Sequence, residues 1–115
     1  MQELSHPGIP DIYALDILGK RCDGGVDLKI VVSQPLDGSE HSQRVLLAKI
    51  ENYLNYRNSD EFRMEFGDLA PDQVCIIVSF THAPDPVIIE LLTRCDRWVA
   101  EHNATIRDEF NRNNH

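Results

Sequence analysis

The chain has 115 residues, 42% of them hydrophobic and 26% charged, and 19 acids against 11 lysines and arginines leave a formal charge of -8. A chain of this length hides roughly two thirds of its unfolded surface, enough for one core and too little for two, and the composition is that of a globular protein rather than a disordered or fibrous one. The negative balance repels phosphate backbones, and no stripe of lysine and arginine interleaved with aromatics offsets it; this argues against nucleic acid as a partner and leaves basic proteins, which an acidic surface attracts.

From the amino terminus, residues 1–11 hold two prolines and a glycine in a polar context and are expected to form an extended arm. Ile12 to Leu18 is expected as a short strand with Tyr13, Leu15 and Ile17 on one face, and GKRCDGG at 19–25 as the tip of a hairpin, Gly24 and Gly25 supplying the reversal. Val26 to Ser33 alternates most cleanly, with Val26, Leu28, Ile30 and Val32 set to face a core and Asp27, Lys29, Val31 and Ser33 opposite them. After a loop at Pro35 to Gly38, the spacing of Leu46, Leu47, Ile50, Tyr53 and Leu54 predicts a helix to about Arg57, with Lys49, Glu51, Asn52 and Asn55 on its wet side.

Asn58 to Gly67 breaks that helix and adds a short turn in which Phe62 and Phe66 staple back onto the core, with Gly67 as the stop. Gln73 to Thr81 reads as a central strand, because both of its faces are largely apolar. Asp85 and Pro86 then suit the cap and first turn of a second helix with the stripe Ile88, Leu91, Leu92, Cys95, Trp98 and Val99, ending near Asn103. Ala104 to Phe110 alternates weakly and is a candidate edge strand, and 111–115 a frayed tail.

The order ββαβα(β) predicts a single α+β domain over 12–110, a two-layer sandwich of three or four strands with two helices on one sheet face. The last strand would close a right-handed βαβ unit with the central one. The other sheet face would be open, showing Val31, Cys75 and Ile77 among Asp27, Lys29, Ser33, Ser79 and Thr81.

The opening MQELSHPGIP has no basic and then apolar leader, and no apolar run is long enough to span a bilayer, so a cytoplasmic protein without a membrane partner is expected. Cys22, Cys75 and Cys95 are odd in number and form no CxxC, which points away from a disulfide framework and from a zinc site.

The pattern Val26-x-Leu28-x-Ile30 followed by Glu40-His41, Leu46-Leu47, Lys49-Ile50 and Tyr53-Leu54 resembles a bacterial family of small proteins classed as a domain of unknown function, over about Asp11 to Glu109. The match departs from the family at Gln34-Pro35-Leu36, where that pattern is more acidic and aromatic. The resemblance implies an α+β fold in a bacterial cytoplasm and brings no activity, cofactor or catalytic residue.

Residue types for chemistry crowd together only in PLDGSEHSQ. Asp37, Ser39, His41 and Ser42 offer a nucleophile and a base, but neighbours at a helix start point in different directions, and Asp37 or Ser39 serves as the cap. With Asp37 as the cap, Glu40 would complete a capping box. His41 and His82 would meet if the first helix and the end of the third strand share a sheet edge, with Asp85 or Asp37 as a third group, although no metal spacing supports them.

Cys95 reads as core, and Cys22, beside Lys20 and Arg21, as the exposed thiol. Gly24-Gly25 lacks the spacing of a phosphate loop, and the pairs Asp60-Glu61 and Asp108-Glu109 read as solvated charge. The leading expectation is therefore a non-enzymatic interaction module without metal or cofactor. It would act as a homodimer or an adaptor for a partner, basic proteins such as a toxin included, with Val31, Cys75 and Ile77 at the interface. The rival is a small enzyme or ligand binder built on His41, His82 and Asp85.

Overall fold

A computed structural model describes residues 4–110; the tail expected at 111–115 and the first three residues of the arm lie outside them. The fold is α+β, with a four-stranded sheet of order β1-β2-β3-β4. The elements are β1 (Ile17–Lys20), β2 (Val26–Val32), α1 (Glu40–Arg57), α2 (Asp60–Phe66), β3 (Val74–Phe80), α3 (Pro86–Arg94), α4 (Asp96–Glu101) and β4 (Thr105–Phe110). β1 runs antiparallel to β2, while β2, β3 and β4 are parallel.

Alternation decides the inner face. Val26, Leu28, Ile30 and Val32 of β2 and Val74, Ile76, Val78 and Phe80 of β3 are buried, and they share one core with Val45, Leu46, Ile50 and Leu54 of α1 and with Ile88, Leu92 and Val99 of the later helices. The candidate strand at Ala104 to Phe110 is real. It pairs with β3 from Cys75↔Thr105 to Phe80↔Phe110.

The first strand departs from expectation. Ile12 to Leu18 was expected to be β-paired, but pairing begins at Ile17 and runs through Gly19 and Lys20 into the segment expected as a turn. The reason lies in where the backbone of 11–16 finds its partners. Lys49 Nζ donates to the carbonyls of Asp11 (2.6 Å) and Ala14 (2.7 Å), Asn52 donates to that of Ile12, and the Asp16 carboxylate accepts the Val31 N–H. Side chains thus take the place of a strand partner, and Tyr13 and Leu15 are left exposed rather than seated on a sheet.

The amino-terminal arm folds back between His6 and Ile9 and places Ile9 in the core. Gly8 is required there, since a Cβ would stand 2.8 Å from the Gln34 carbonyl oxygen.

The helix expected from Pro86 to Asn103 is two helices. Cys95, at φ -76° and ψ -13°, ends α3 and starts α4, and its N–H is shared between the Leu91 and Leu92 carbonyls, as at a tightened last turn. α4 closes on a Schellman turn: Ala104 N–H bonds Val99 O, Asn103 N–H bonds Ala100 O, and Asn103 sits at φ 70°. The buried Val99 and Ala104 complete the turn and deliver the chain into β4.

Candidate functional site

β2 and β3 run in the same direction, so the starts of α1 and α3 gather at one sheet edge. Asp85 N–H bonds the Leu36 carbonyl, and Gly38 lies against the Asp85 carboxylate. The three residues of the rival enzyme or ligand-binder reading nevertheless have separate tasks. His41 Nε2 donates to the Ser5 carbonyl at 2.7 Å, His82 Nδ1 bonds Thr81 Oγ1 at 3.0 Å, and Asp85 caps α3 by accepting the Val87 N–H. Among the described residues, no group of three or more His, Cys, Asp or Glu side chains is placed to hold a metal ion.

The cap of α1 is Ser39 and not Asp37, so the expected D-x-x-E box does not form. Ser39 Oγ accepts the Ser42 N–H, and Glu40, at the first helical position, pairs instead with Arg44. Asp37 stands one step behind. Its Oδ1 accepts the Ser39 N–H and the hydroxyl of the buried Ser42 at 2.7 Å. These bonds, those of the two serines first, hold the Asp37 carboxyl down at about 2 from an ordinary 3.8.

A depressed carboxylate contributes stability above its unfolded value and loses it as pH falls through the folded one. The start of α1 should therefore stay intact on acidification past pH 3.8 and loosen toward pH 2. A carbon-detected NMR titration of Asp37 should give a midpoint near 2, and a midpoint near 3.8 would refute the assignment.

The thiols divide as burial dictates. Cys22 is exposed at the hairpin tip, Cys75 is half-buried on the sheet, and Cys95 is buried, which pushes its thiol up and leaves it a packing group. The paired acids also separate: Asp60 and Glu61 open α2, with Asp60 paired to Arg63. Asp108 and Glu109 project to opposite faces of β4.

On the sheet face away from the helices, the register sets Ile17, Lys29, Ile77 and Arg107 in one row, with Ser79 and Glu109 beside it. Ile77, expected at the centre of an open apolar patch, is only 2% exposed. Glu109 pairs with Lys29 at 3.0 Å and with Arg107 at 3.6 Å, and the stems of these two cations lie along the row that holds Ile77. The hydrogen bond from Lys29 holds the Glu109 carboxyl below its ordinary range. Val31 and Cys75 are half-buried.

Exposed large apolar side chains gather instead toward the β1 edge: Tyr13, Leu15, Ile17 and Leu18 are between 39% and 77% exposed within six residues of sequence, while Met64, Val87 and Phe110 are exposed singly. The most deeply buried charged side chain among the described residues is one that the sequence reading placed on the wet side of α1. Lys49 is 2% exposed, bonded to Asp16 at 3.1 Å as well as to the two carbonyls. Tyr53 OH next to it donates to Lys29 O and accepts the Asp16 N–H.

The signal was positional. Ser42, Val45, Leu46, Lys49, Ile50, Tyr53, Leu54 and Arg57 form one buried stripe at helical spacing, and Lys49 lies three residues after Leu46 and four before Tyr53.

Residues 8–112 fit the model of a family of unknown function, DUF6572, and the chain belongs to that family. No curated protein matches the chain. No solved structure matches it either. Among the described residues, no helix is long and apolar enough to cross a membrane.

Proposed function

We propose that this domain is a non-enzymatic protein-interaction module that pairs with a second copy of itself through the outer edge of β1 and the sheet face beside it. The observation that carries this reading is the run of exposed apolar side chains from Tyr13 to Leu18, on and just before a strand that has only one sheet neighbour among the described residues. An edge strand offers unpaired N–H and C=O groups, and a two-fold axis lets the same strand satisfy both copies. The stretch Tyr13 to Lys20 holds one acid, Asp16, and one base, Lys20, so the net charge of -8 is not concentrated where the copies would meet.

Val31 and Cys75 extend the surface across the sheet, and Ile77 supports it from beneath the Lys29–Glu109 pair. His41, His82 and Asp85 support no second reading, since each is bonded to a different neighbour.

Size-exclusion chromatography with light scattering should find a concentration-dependent dimer. Ile17→Asp with Leu18→Asp should yield a monomer of unchanged thermal midpoint, because both side chains are already exposed. A wild-type chain that stays monomeric at millimolar concentration would overturn the reading.

A further inference from the structure

We infer that the groove between α3 and the outer edge of β4, at the opposite side of the sheet from β1, docks a basic, extended segment of a protein partner as an added strand. The inference stands on a different surface from the self-pairing reading and does not depend on it.

The groove encloses about 490 Å³ over an apolar floor that includes Phe80, Pro86, Ile89 and Phe110, with the carboxylates of Glu90 and Asp108 on its walls. A second hollow of about 290 Å³ continues along the strand past Ile106 and Asp96, and Asp108 borders both. Among the described residues no ion pair engages Glu90, Asp96 or Asp108, whereas Arg107, which also borders the second hollow, is paired with Glu109. The rim is thus negative over an apolar floor. Lysine or arginine fits it well, its stem lying on the floor and its head reaching the carboxylates.

The backbone selects the conformation of the partner. β4 is an edge strand, and among the described residues β3 is its sole strand neighbour, so its outer N–H and C=O groups form a template for strand addition. The five residues from Thr105 to Glu109 would support a partner strand of about 17 Å. Along such a strand, every second side chain faces the α3 side, where Ile106, Asp108 and Phe110 of β4 lie in the rows of Ile76, Val78 and Phe80. The alternate side chains meet Thr105, Arg107 and Glu109, where Arg107 disfavours a second row of cations. The fitting sequence therefore alternates basic with neutral apolar residues.

The probe is a short acetylated and amidated peptide alternating lysine with valine and carrying a fluorophore, titrated by anisotropy into the full chain. Saturable binding is expected. It should weaken about tenfold in Glu90→Lys with Asp108→Lys, two exposed side chains whose reversal leaves the thermal midpoint in place. It should be lost when the backbone amides on one edge of the peptide are N-methylated, and it should shift the amide resonances of Thr105 to Phe110.

Binding should persist in Ile17→Asp with Leu18→Asp, which separates this site from the β1 edge. Absence of saturable binding at millimolar peptide overturns the inference. So does equal affinity for the charge-reversed chain, indifference to N-methylation, which would mean an occupant other than a strand, or loss of binding in the β1 variant.

Discussion

Lys49→Ala is expected to lower folding stability by about 3 kcal/mol, the lower end of the range for breaking a buried ion pair from one side. The ammonium is enclosed by Asp11 O at 2.6 Å, Ala14 O at 2.7 Å and Asp16 Oδ1 at 3.1 Å, with the Tyr53 ring 5.7 Å away. Its removal strands two carbonyls and one carboxylate and leaves a void beside α1. Asp16 lies nearer to solvent and can rehydrate, which keeps the cost from rising further. Asp16→Asn should cost less, about 1 kcal/mol, since an amide oxygen still accepts the Val31 N–H.

Urea unfolding of the two single variants and the double variant gives the coupling. If the pair acts as described, the double variant loses less than the sum of the two. Hydrogen exchange should also quicken at the amides of Asp16 and Val31, which are held by this cluster through Tyr53 OH and the Asp16 carboxylate. A near-neutral Lys49→Ala with unchanged exchange at Val31 would show that the cluster does not hold the segment.

Lys49 also shows what can be read from this sequence and what cannot. β2 and β3 are legible because a strand with a buried face must alternate, and Val26 to Val32 has the one period that its burial requires. Asp85-Pro86 marks the start of α3 because a carboxylate cap followed by a residue without N–H is a local device needing no distant partner. The segment 11–16 needs distant partners. Its alternation of Tyr13, Leu15 and Ile17 imitates a strand, while its actual shape follows from a lysine and an asparagine more than 30 residues later.

The same limit applies to the candidate sites. Asp37 and Ser39 were both eligible caps by type, and only the backbone path decides between them. On the open sheet face, Ile77 was expected to be exposed because a single strand does not reveal what crosses it. The ion pairs that cover its row join Lys29 of β2 to Glu109 of β4, strands that do not pair with each other.

Phe62→Ala is expected to cost about 3 to 4 kcal/mol, within the range for a fully buried aromatic side chain. Phe62 is the one buried residue of α2, a helix of seven residues, too short to persist in water without tertiary anchorage. Its ring meets Tyr56 edge-on at 5.5 Å and Phe66 at 4.8 Å, and the Arg57 guanidinium lies 5.0 Å from its centre.

Arg57 is buried there and is committed to the chain on both sides, donating to Leu69 O at 2.7 Å and to Asn103 O at 2.8 Å. Asn103 is the left-handed residue that ends α4 and turns the chain toward β4. Loss of the ring therefore loosens α2 first and, through Arg57, the turn that positions β4.

Limited proteolysis should cut Phe62→Ala within 60–67 while the wild-type chain resists, and Asn103 and Ala104 amides should exchange faster. Phe62→Leu should recover most of the stability, because it keeps the anchor apolar and loses chiefly the ring contacts. A Phe62→Ala chain that opens at α2 yet leaves Asn103 and Ala104 protected would show that Arg57 holds the carboxyl-terminal turn independently of the aromatic cluster.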